Sequence, residues 1–221
     1  MKSKTITSFQ DYIETVCSEN YNGHIFRGVA DLKAHTLVPG IGRLTKFQGV
    51  PTSTITKQEK HWLKRFRLEG ERHVNGTPSE WDWLVLARHH GLPVRLLDWT
   101  RNPLVALYFA VWERSGKTAA VYAEKFTNHI DTEATLDPFA IKKVGKFQPA
   151  HTSARIAAQT SMLTIHPDPT TAYDSKTLCR FEISPNLAPA LKAQLRRVGI
   201  HPASVLPDLD GLAKSIRYGD L

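Results

Sequence analysis

The segment from His89 to Ala110 reads HHGLPVRLLDWTRNPLVALYFA, and it decides the fold because a polar turn leads directly into an apolar helix. Asn102 and Pro103 predict the start of that helix, since Asn is a good N-cap and Pro is favoured at the first helical position. Apolar residues then recur every three or four positions, which indicates a buried face. Ala106 and Ala110 lie on that face and favour close packing against a neighbouring element.

The turn before this helix is rich in cationic side chains. Helix N-termini present oriented backbone N–H groups and a partial positive charge, so they favour anions such as phosphate. His89, His90, Arg95 and Arg101 lie within a few residues of this terminus. Two interpretations stay open for the turn: an anion-binding site, or an ion pair between Arg95 and Asp98 that braces the chain.

The composition is that of a globular protein with a basic surface. The chain has 221 residues, 41% of them apolar, and no apolar run approaches the length of a membrane span. Cys17 and Cys179 are far apart and lack a metal-ligand spacing, so we expect reduced thiols, a cytoplasmic location, no membrane association and no metal site. The net charge of +8 predicts an acidic partner: a nucleotide, nucleic acid or an acidic protein.

The order of predicted elements indicates an α+β fold, with helices packed on a small, mostly antiparallel sheet in one domain that spans residues 1–221. Strands are predicted near residues 24–29, 119–123 and 178–184, and no regular alternation of strand and helix suggests a doubly wound sheet. Predicted helices follow Ser8, Asn102 and Asp208 and cover residues 55–74, 80–90 and 187–198.

Two further segments bear on function. The helix over residues 55–74 is basic on all sides, which favours a solvated surface over a nucleic-acid groove. Residues 127–144 show no periodicity and predict a long loop that covers a site. Arg27 lies on a predicted strand, where its guanidinium would be a rigidly placed hydrogen-bond donor. The alternative is a surface position on an edge strand.

Three motifs together resemble the FRG-domain family. They are Phe26-Arg27-Gly28, the segment from His89 to Pro103, and Arg155-Ile156-Ala157-Ala158-Gln159. The tail from Gly199 to Leu212 is also similar to that family, so the likeness runs over most of the chain. His89 and Val94 stand where members often carry Gln and Thr. The family is named for its motif, and the resemblance therefore implies no particular activity.

A looser resemblance is to the ADP-ribosyltransferases, which carry Arg, Ser or Thr, and Glu in this order along the chain. The resemblance implies that Arg27 holds the pyrophosphate or ribose of NAD as co-substrate and that Thr100 supports the nicotinamide pocket. No Glu-x-Glu or Gln-x-Glu pair is present, which leaves Gln159 and Glu182 as candidates for the third place. Gln159 carries no negative charge to stabilise a cationic transition state.

These arguments predict that polar groups from distant segments converge in one cleft. The predicted catalytic residues are Arg27, Asp98, Thr100, Gln159 and Glu182. The predicted ligand-binding residues are Arg27, Gly28, His89, His90, Arg95, Asn102 and Arg155. The favoured function is an NAD-dependent transfer or hydrolysis of ADP-ribose. The alternatives are a non-catalytic module that binds a nucleotide or nucleic-acid phosphate, and, ranked below it, a nuclease.

Overall fold

A single sheet organises the computed structural model, which describes residues 1–113, 116–150 and 153–219. Its seven strands are β1 Lys2–Ile6, β2 Ile25–Val29, β3 Leu96–Thr100, β4 Ala119–Glu124, β5 Gly145–Phe147, β6 Ser161–Ile165 and β7 Cys179–Ile183. They lie in the order β1-β7-β4-β2-β3-β6-β5. Within the described residues, the β1–β7 pair is parallel and every other pair of neighbouring strands is antiparallel.

Eight α-helices surround the sheet in the described part of the chain. They are α1 Phe9–Val16, α2 Thr52–Gly70, α3 Glu80–His89, α4 Pro103–Val111, α5 Ala154–Ala158, α6 Ala188–Arg197, α7 Pro202–Val205 and α8 Leu209–Tyr218. Side-chain caps define several starts: Ser8, Ser79, Asn102 and Asp208 each accept a hydrogen bond from a backbone N–H in the first turn. These bonds satisfy donors that have no partner inside the helix.

The predicted α+β fold with a mostly antiparallel sheet is confirmed. The three predicted strands are present as β2, β4 and β7, which are neighbours in the sheet. The other four strands, β1, β3, β5 and β6, were not predicted. Two of them, β1 and β5, contact a single neighbouring strand, and β5 has only three residues. Strand β3 lies in the segment that was interpreted as a polar turn before α4.

The two faces of β2 pack against different layers. Phe26 faces α4 and joins a core that also contains Tyr12 of α1, Phe181 of β7 and Leu191 of α6. The opposite face belongs to a second cluster, in which Ile25 and Val29 pack with residues of β3, β4 and β6. A third cluster buries the apolar side of α3 against β3 and β6. The centre of the sheet is therefore covered on both sides.

Helix α4 approaches β2 closely at Gly28. A Cβ atom added to Gly28 would lie 1.9 Å from the carbonyl oxygen of Ala106 and 2.8 Å from the backbone nitrogen of Ala110. The two alanines keep the facing side of α4 small, as the sequence predicted. Any side chain at Gly28 would force the helix away from the strand.

The sheet separates between β2 and β3. These strands pair at one position, Phe26 with Thr100, whereas β2 pairs with β4 at five positions and β3 pairs with β6 at five. Beyond that one pair the two strands diverge and leave a gap in the middle of the sheet. Among the residues that the structure describes, no helix combines the length and the apolar character that crossing a bilayer requires.

Gly28→Ala should destabilise the fold, because the new methyl group would overlap the backbone of α4. We expect a loss of about 3 kcal/mol or more in the free energy of unfolding, at the upper end of overpacking costs. Urea denaturation measures this loss. Gly40→Ala is the control, since its Cβ would meet its nearest neighbour at 3.6 Å, an ordinary contact. Equal stability of the two variants would contradict the close packing of β2 and α4.

Candidate functional site

A cleft of about 750 Å³ opens where β2 and β3 diverge. Arg27 and Gly28 of β2 line it, together with Asp98 and Thr100 of β3. The C-terminal end of α3, one side of α4, and parts of α5 and α8 form its walls. Its volume lies within the range usual for small-molecule binding sites, and its lining comes from segments distant in sequence.

Arg27 spans the gap between the two strands. Its Nη1 donates a hydrogen bond of 2.6 Å to the backbone oxygen of Asp98, and the same atom lies 3.5 Å from Asp98 Oδ2. A continued ladder would place Gly28 opposite Asp98 at this point. The arginine side chain instead satisfies the β3 carbonyl group, which a buried strand cannot leave without a partner.

Asp98 presents its carboxylate on the floor of the cleft. Oδ2 accepts a hydrogen bond of 2.5 Å from Arg88 Nη2, while 48% of the side chain stays exposed. Burial raises the pKa of Asp98, but the charges of Arg88 and Arg27 act in the opposite direction and outweigh it, so the pKa is lowered. The carboxylate is therefore ionised at neutral pH.

Three guanidinium groups line the cleft near this carboxylate, and we call Arg27, Arg43 and Arg88 the arginine cluster. Arg27 and Arg88 contact the carboxylate directly. Burial lowers the pKa of Arg27 and of Arg43, and the neighbouring Arg88 lowers that of Arg43 further. Nε of Arg27 and Nε of Arg88 are buried and have no hydrogen-bond partner among the described residues. The cluster thus combines excess positive charge with unused donor capacity, as in a site for an anion.

Two histidines stand beside the cluster. His35 and His89 both line the cleft, whereas His90, which caps the C-terminal end of α3, does not. Burial lowers the pKa of His89, and the nearby His90 and Arg155 lower it further. His89 is therefore neutral at pH 7 and offers hydrogen bonds rather than charge.

Aromatic rings cover another part of the cleft, and we call Tyr108, Phe109, Trp112 and Tyr218 the aromatic wall. Tyr108 stacks on Trp112 with ring centroids 4.7 Å apart, and Tyr218 meets Trp112 edge to face at 5.8 Å. Phe109 and Tyr218 are 40% and 41% exposed. The wall consequently offers open ring surface next to a buried indole, whose Nε1 lacks a hydrogen-bond partner among the described residues.

Arg155 joins α5 to the start of α8. Its Nε donates to Asp208, and its Nη2 lies 3.4 Å from Asp210 Oδ2. Gln159 Nε2 donates to the backbone oxygen of Val205 at 3.1 Å. Both residues line the cleft as predicted, but their polar groups also fix the C-terminal helices against the sheet.

The Thr100 hydroxyl is fully used within the protein. It donates to the backbone oxygen of Gln159 at 2.6 Å and accepts from the backbone nitrogen of Asn102 at 2.9 Å. Asn102 in turn accepts from Leu104 N as the cap of α4 and does not line the cleft. Thr100 and Asn102 therefore hold the turn in place, and the Thr100 hydroxyl has its bonding capacity taken up within the protein.

The structure places Arg95, a predicted ligand-binding residue, outside the cleft, and the alternative interpretation of an ion pair between Arg95 and Asp98 is also wrong. Arg95 is 2% exposed, and its Nε donates to Glu59 Oε2 of α2 at 2.8 Å. Its Nη2 also donates to Thr56 Oγ1. Residues three apart along an extended segment point to opposite faces, so Arg95 and Asp98 cannot meet.

Two other expectations also differ from the structure. Glu182 lies on β7 and accepts hydrogen bonds from Arg180. Strand β4 separates β7 from β2 in the sheet. It does not line the cleft. The loop over residues 127–144 does not cover the cleft either. It packs against α3, where Trp81 Nε1 donates to the backbone oxygen of Thr135.

Several cleft residues escaped the sequence analysis. Arg88 directly precedes the segment from His89 to Ala110, and Arg43 lies near the end of a loop without a regular pattern of apolar residues. The residues of α8 did carry a signal, since Lys214, Arg217 and Tyr218 share one helical face by their spacing. In the described part of the chain, no group of three or more His, Cys, Asp or Glu side chains could hold a metal ion.

The sequence model of the FRG domain family matches residues 22–119. This chain contains an FRG domain. The family resemblance that the sequence suggested is thereby confirmed for the region from just before β2 to the first residue of β4. The FRG domain supplies the whole arginine cluster and Asp98, whereas Arg155, Gln159 and α8 lie beyond the matched residues. Neither a curated protein nor a solved structure matches the chain.

Arg95→Ala should destabilise the protein by about 3–5 kcal/mol, because it leaves the Glu59 carboxylate buried without its partner. Glu59 is 1% exposed, and burial already raises its pKa. Urea denaturation measures the loss. The double variant Arg95→Met with Glu59→Leu should recover most of it. A loss below about 1 kcal/mol for Arg95→Ala would show that the pair is not a structural brace.

Proposed function

We propose that the FRG domain and the C-terminal helices together bind a nucleotide that carries a diphosphate group, with NAD as the first candidate. The observation that carries this proposal is the union of an arginine cluster and an aromatic wall in one cleft of about 750 Å³. Nucleotides consist of an anionic part and a flat aromatic part, and each matches one of these two surfaces.

The arginine cluster suits a diphosphate. Guanidinium groups present a fixed fork of donors that matches phosphate oxygens, and they remain charged when partly buried. Arg27 is held by the Asp98 backbone oxygen and Arg88 by the Asp98 carboxylate, so both are already positioned before a ligand arrives. This preorganisation reduces the entropy that binding costs.

The aromatic wall suits a nucleobase or a nicotinamide ring. Bases stack on aromatic side chains with about 1–3 kcal/mol per base, and the exposed rings of Phe109 and Tyr218 offer such a surface. Lys192 Nζ lies 4.2 Å from the Trp112 ring centroid and 4.0 Å from that of Tyr218. This cation fixes the two rings against each other and keeps the wall rigid.

The resemblance to ADP-ribosyltransferases favours NAD among such nucleotides. The geometry supports the expected place of Arg27, since it lies on a central strand and at the floor of the cleft. It supports Thr100 only as a residue that shapes the turn before α4, because its hydroxyl already has protein partners.

A second candidate function is cleavage of the bond between nicotinamide and ribose, with transfer of ADP-ribose to water or an acceptor. In this reaction the bonding electron pair leaves with nicotinamide, positive charge develops on the ribose, and the attacking group loses a proton. A carboxylate can stabilise that charge. Asp98 is the one carboxylate held by the arginine cluster among the described residues, and Gln159 in the third place is an amide. This favours binding as the first proposal.

Arg27→Ala should weaken binding of NAD or ADP-ribose by at least about tenfold, because a charge-assisted hydrogen bond to phosphate contributes roughly 1.5–3 kcal/mol. Isothermal titration calorimetry measures the affinity. Arg43→Ala, at another position of the arginine cluster, should also weaken binding. Arg197→Ala, an exposed arginine on α6, is the matched control and should bind like the unmodified protein. Unchanged affinity in both cluster variants would contradict the proposal.

Release of nicotinamide from NAD separates the two candidate functions. If the cleft is catalytic, the protein releases nicotinamide, and Asp98→Asn lowers the rate by about 100-fold or more while the melting temperature changes little. Chromatography of the products measures the rate. Binding of NAD without release supports the binding function alone. Salt-dependent binding of a short oligonucleotide with no binding of any mononucleotide or dinucleotide would instead favour a nucleic-acid partner.

A further inference from the structure

We infer that Asp98 selects the charge class of the ligand, so that the cleft accepts a diphosphate esterified at both ends and discriminates against a nucleotide with a terminal phosphate. The inference rests on the proposed function and extends it to the choice between ligands that share a base, a ribose and two phosphates. ADP-ribose and ADP are such a pair, since they differ in whether the second phosphate carries an additional ester.

Asp98 lies between two guanidinium groups of the arginine cluster. Its Oδ2 lies 2.5 Å from Arg88 Nη2 and 3.5 Å from Arg27 Nη1, so it occupies the space between two guanidinium groups. A phosphate at the arginine cluster must share these groups with the carboxylate. The side chain is 48% exposed toward the cleft, and a ligand there meets its charge directly.

The arginine cluster remains positively charged after the Asp98 carboxylate is counted. Three guanidinium groups and one carboxylate leave the arginine cluster and Asp98 with a net charge of +2. Elsewhere in the lining, Arg155 is paired with Asp208 and Asp210, and two cations of α8, Lys214 and Arg217, stand against the one carboxylate of Glu113. The arginine cluster is therefore the densest group of positive charge in the lining of the cleft.

The two kinds of ligand differ in the charge of their second phosphate. A diphosphate esterified at both ends carries two negative charges, which match the net charge of the arginine cluster with Asp98. A terminal phosphate carries about 1.5–2 charges by itself, so ADP brings about three in total. The additional charge would lie next to the Asp98 carboxylate in a partly desolvated cleft, where repulsion between like charges is strong.

The test compares the affinities of ADP-ribose and ADP by isothermal titration calorimetry at pH 7.5. For the unmodified protein we expect ADP-ribose to bind at least about tenfold more tightly than ADP, because repulsion between the terminal phosphate and the Asp98 carboxylate weakens the binding of ADP. In Asp98→Asn the two affinities should become similar, because ADP gains most from the loss of the carboxylate. Asp98→Glu keeps the charge and should keep the preference.

Asp210→Asn is the matched control. It removes one carboxylate from the neighbourhood of the cleft, but at the end held by Arg155, where the side chain is 81% exposed. Its effect on the ratio of the two affinities should be small. If it changes the ratio as much as Asp98→Asn, the selection reflects overall charge rather than the position of Asp98, and the inference is wrong.

A second measurement needs no variant and covers the case in which Asp98→Asn fails to fold. The last proton of a terminal phosphate binds with a pKa near 6, so ADP loses its additional charge as the pH falls from about 7.5 to 5.5, while ADP-ribose does not. The preference of the unmodified protein for ADP-ribose should shrink over this range. If both nucleotides bind equally at pH 7.5, or the ratio does not depend on pH or on Asp98, the inference fails and the proposed function stands. If neither nucleotide binds, the proposed function fails with it.

Discussion

The bond from Arg27 to the backbone oxygen of Asp98 is the contact on which the cleft depends. Two neighbouring strands of one sheet ordinarily close against each other, because unpaired backbone groups in a buried region are costly. Here β2 and β3 pair once and then separate, and a side chain takes over part of the missing ladder. The gap can persist because the same guanidinium that satisfies the backbone also forms the floor of the site.

Helix α4 packs against β2 at Gly28 and also forms one side of the cleft. Its contact with Gly28 fixes the distance between helix and strand, and its last turn with the C-cap carries three of the four rings of the aromatic wall, those of Tyr108, Phe109 and Trp112. A change in the packing of α4 on β2 would therefore move the rings relative to the arginine cluster. Stability and recognition are coupled here through one close backbone contact rather than through a chain of side chains.

The sequence predicted what depends on local patterns. Caps and periodicity placed the helices that begin after Ser8, Ser79 and Asn102, and short apolar segments predicted the neighbouring strands β2, β4 and β7. Strand β3 was missed because its polar residue Asp98 and the following cap of α4 make the segment resemble a turn. Arg95 was assigned to the wrong partner because its true partner, Glu59, lies on a helix distant in sequence. The same reason hid Arg43 and Arg88: their meeting at Asp98 depends on the tertiary fold, and no local pattern encodes it.

The boundary of the family match divides the cleft between two parts of the chain. Residues 22–119 contain the charged floor, while the helix that carries Lys214, Arg217 and Tyr218 lies near the C-terminal end. Another protein that shares only the matched residues would retain the arginine cluster, Asp98 and the rings of Tyr108, Phe109 and Trp112, but not the surface that α8 contributes. A change confined to the C-terminal helices would thus reshape one side of the pocket and leave the arginine cluster and three of the four rings of the aromatic wall in place.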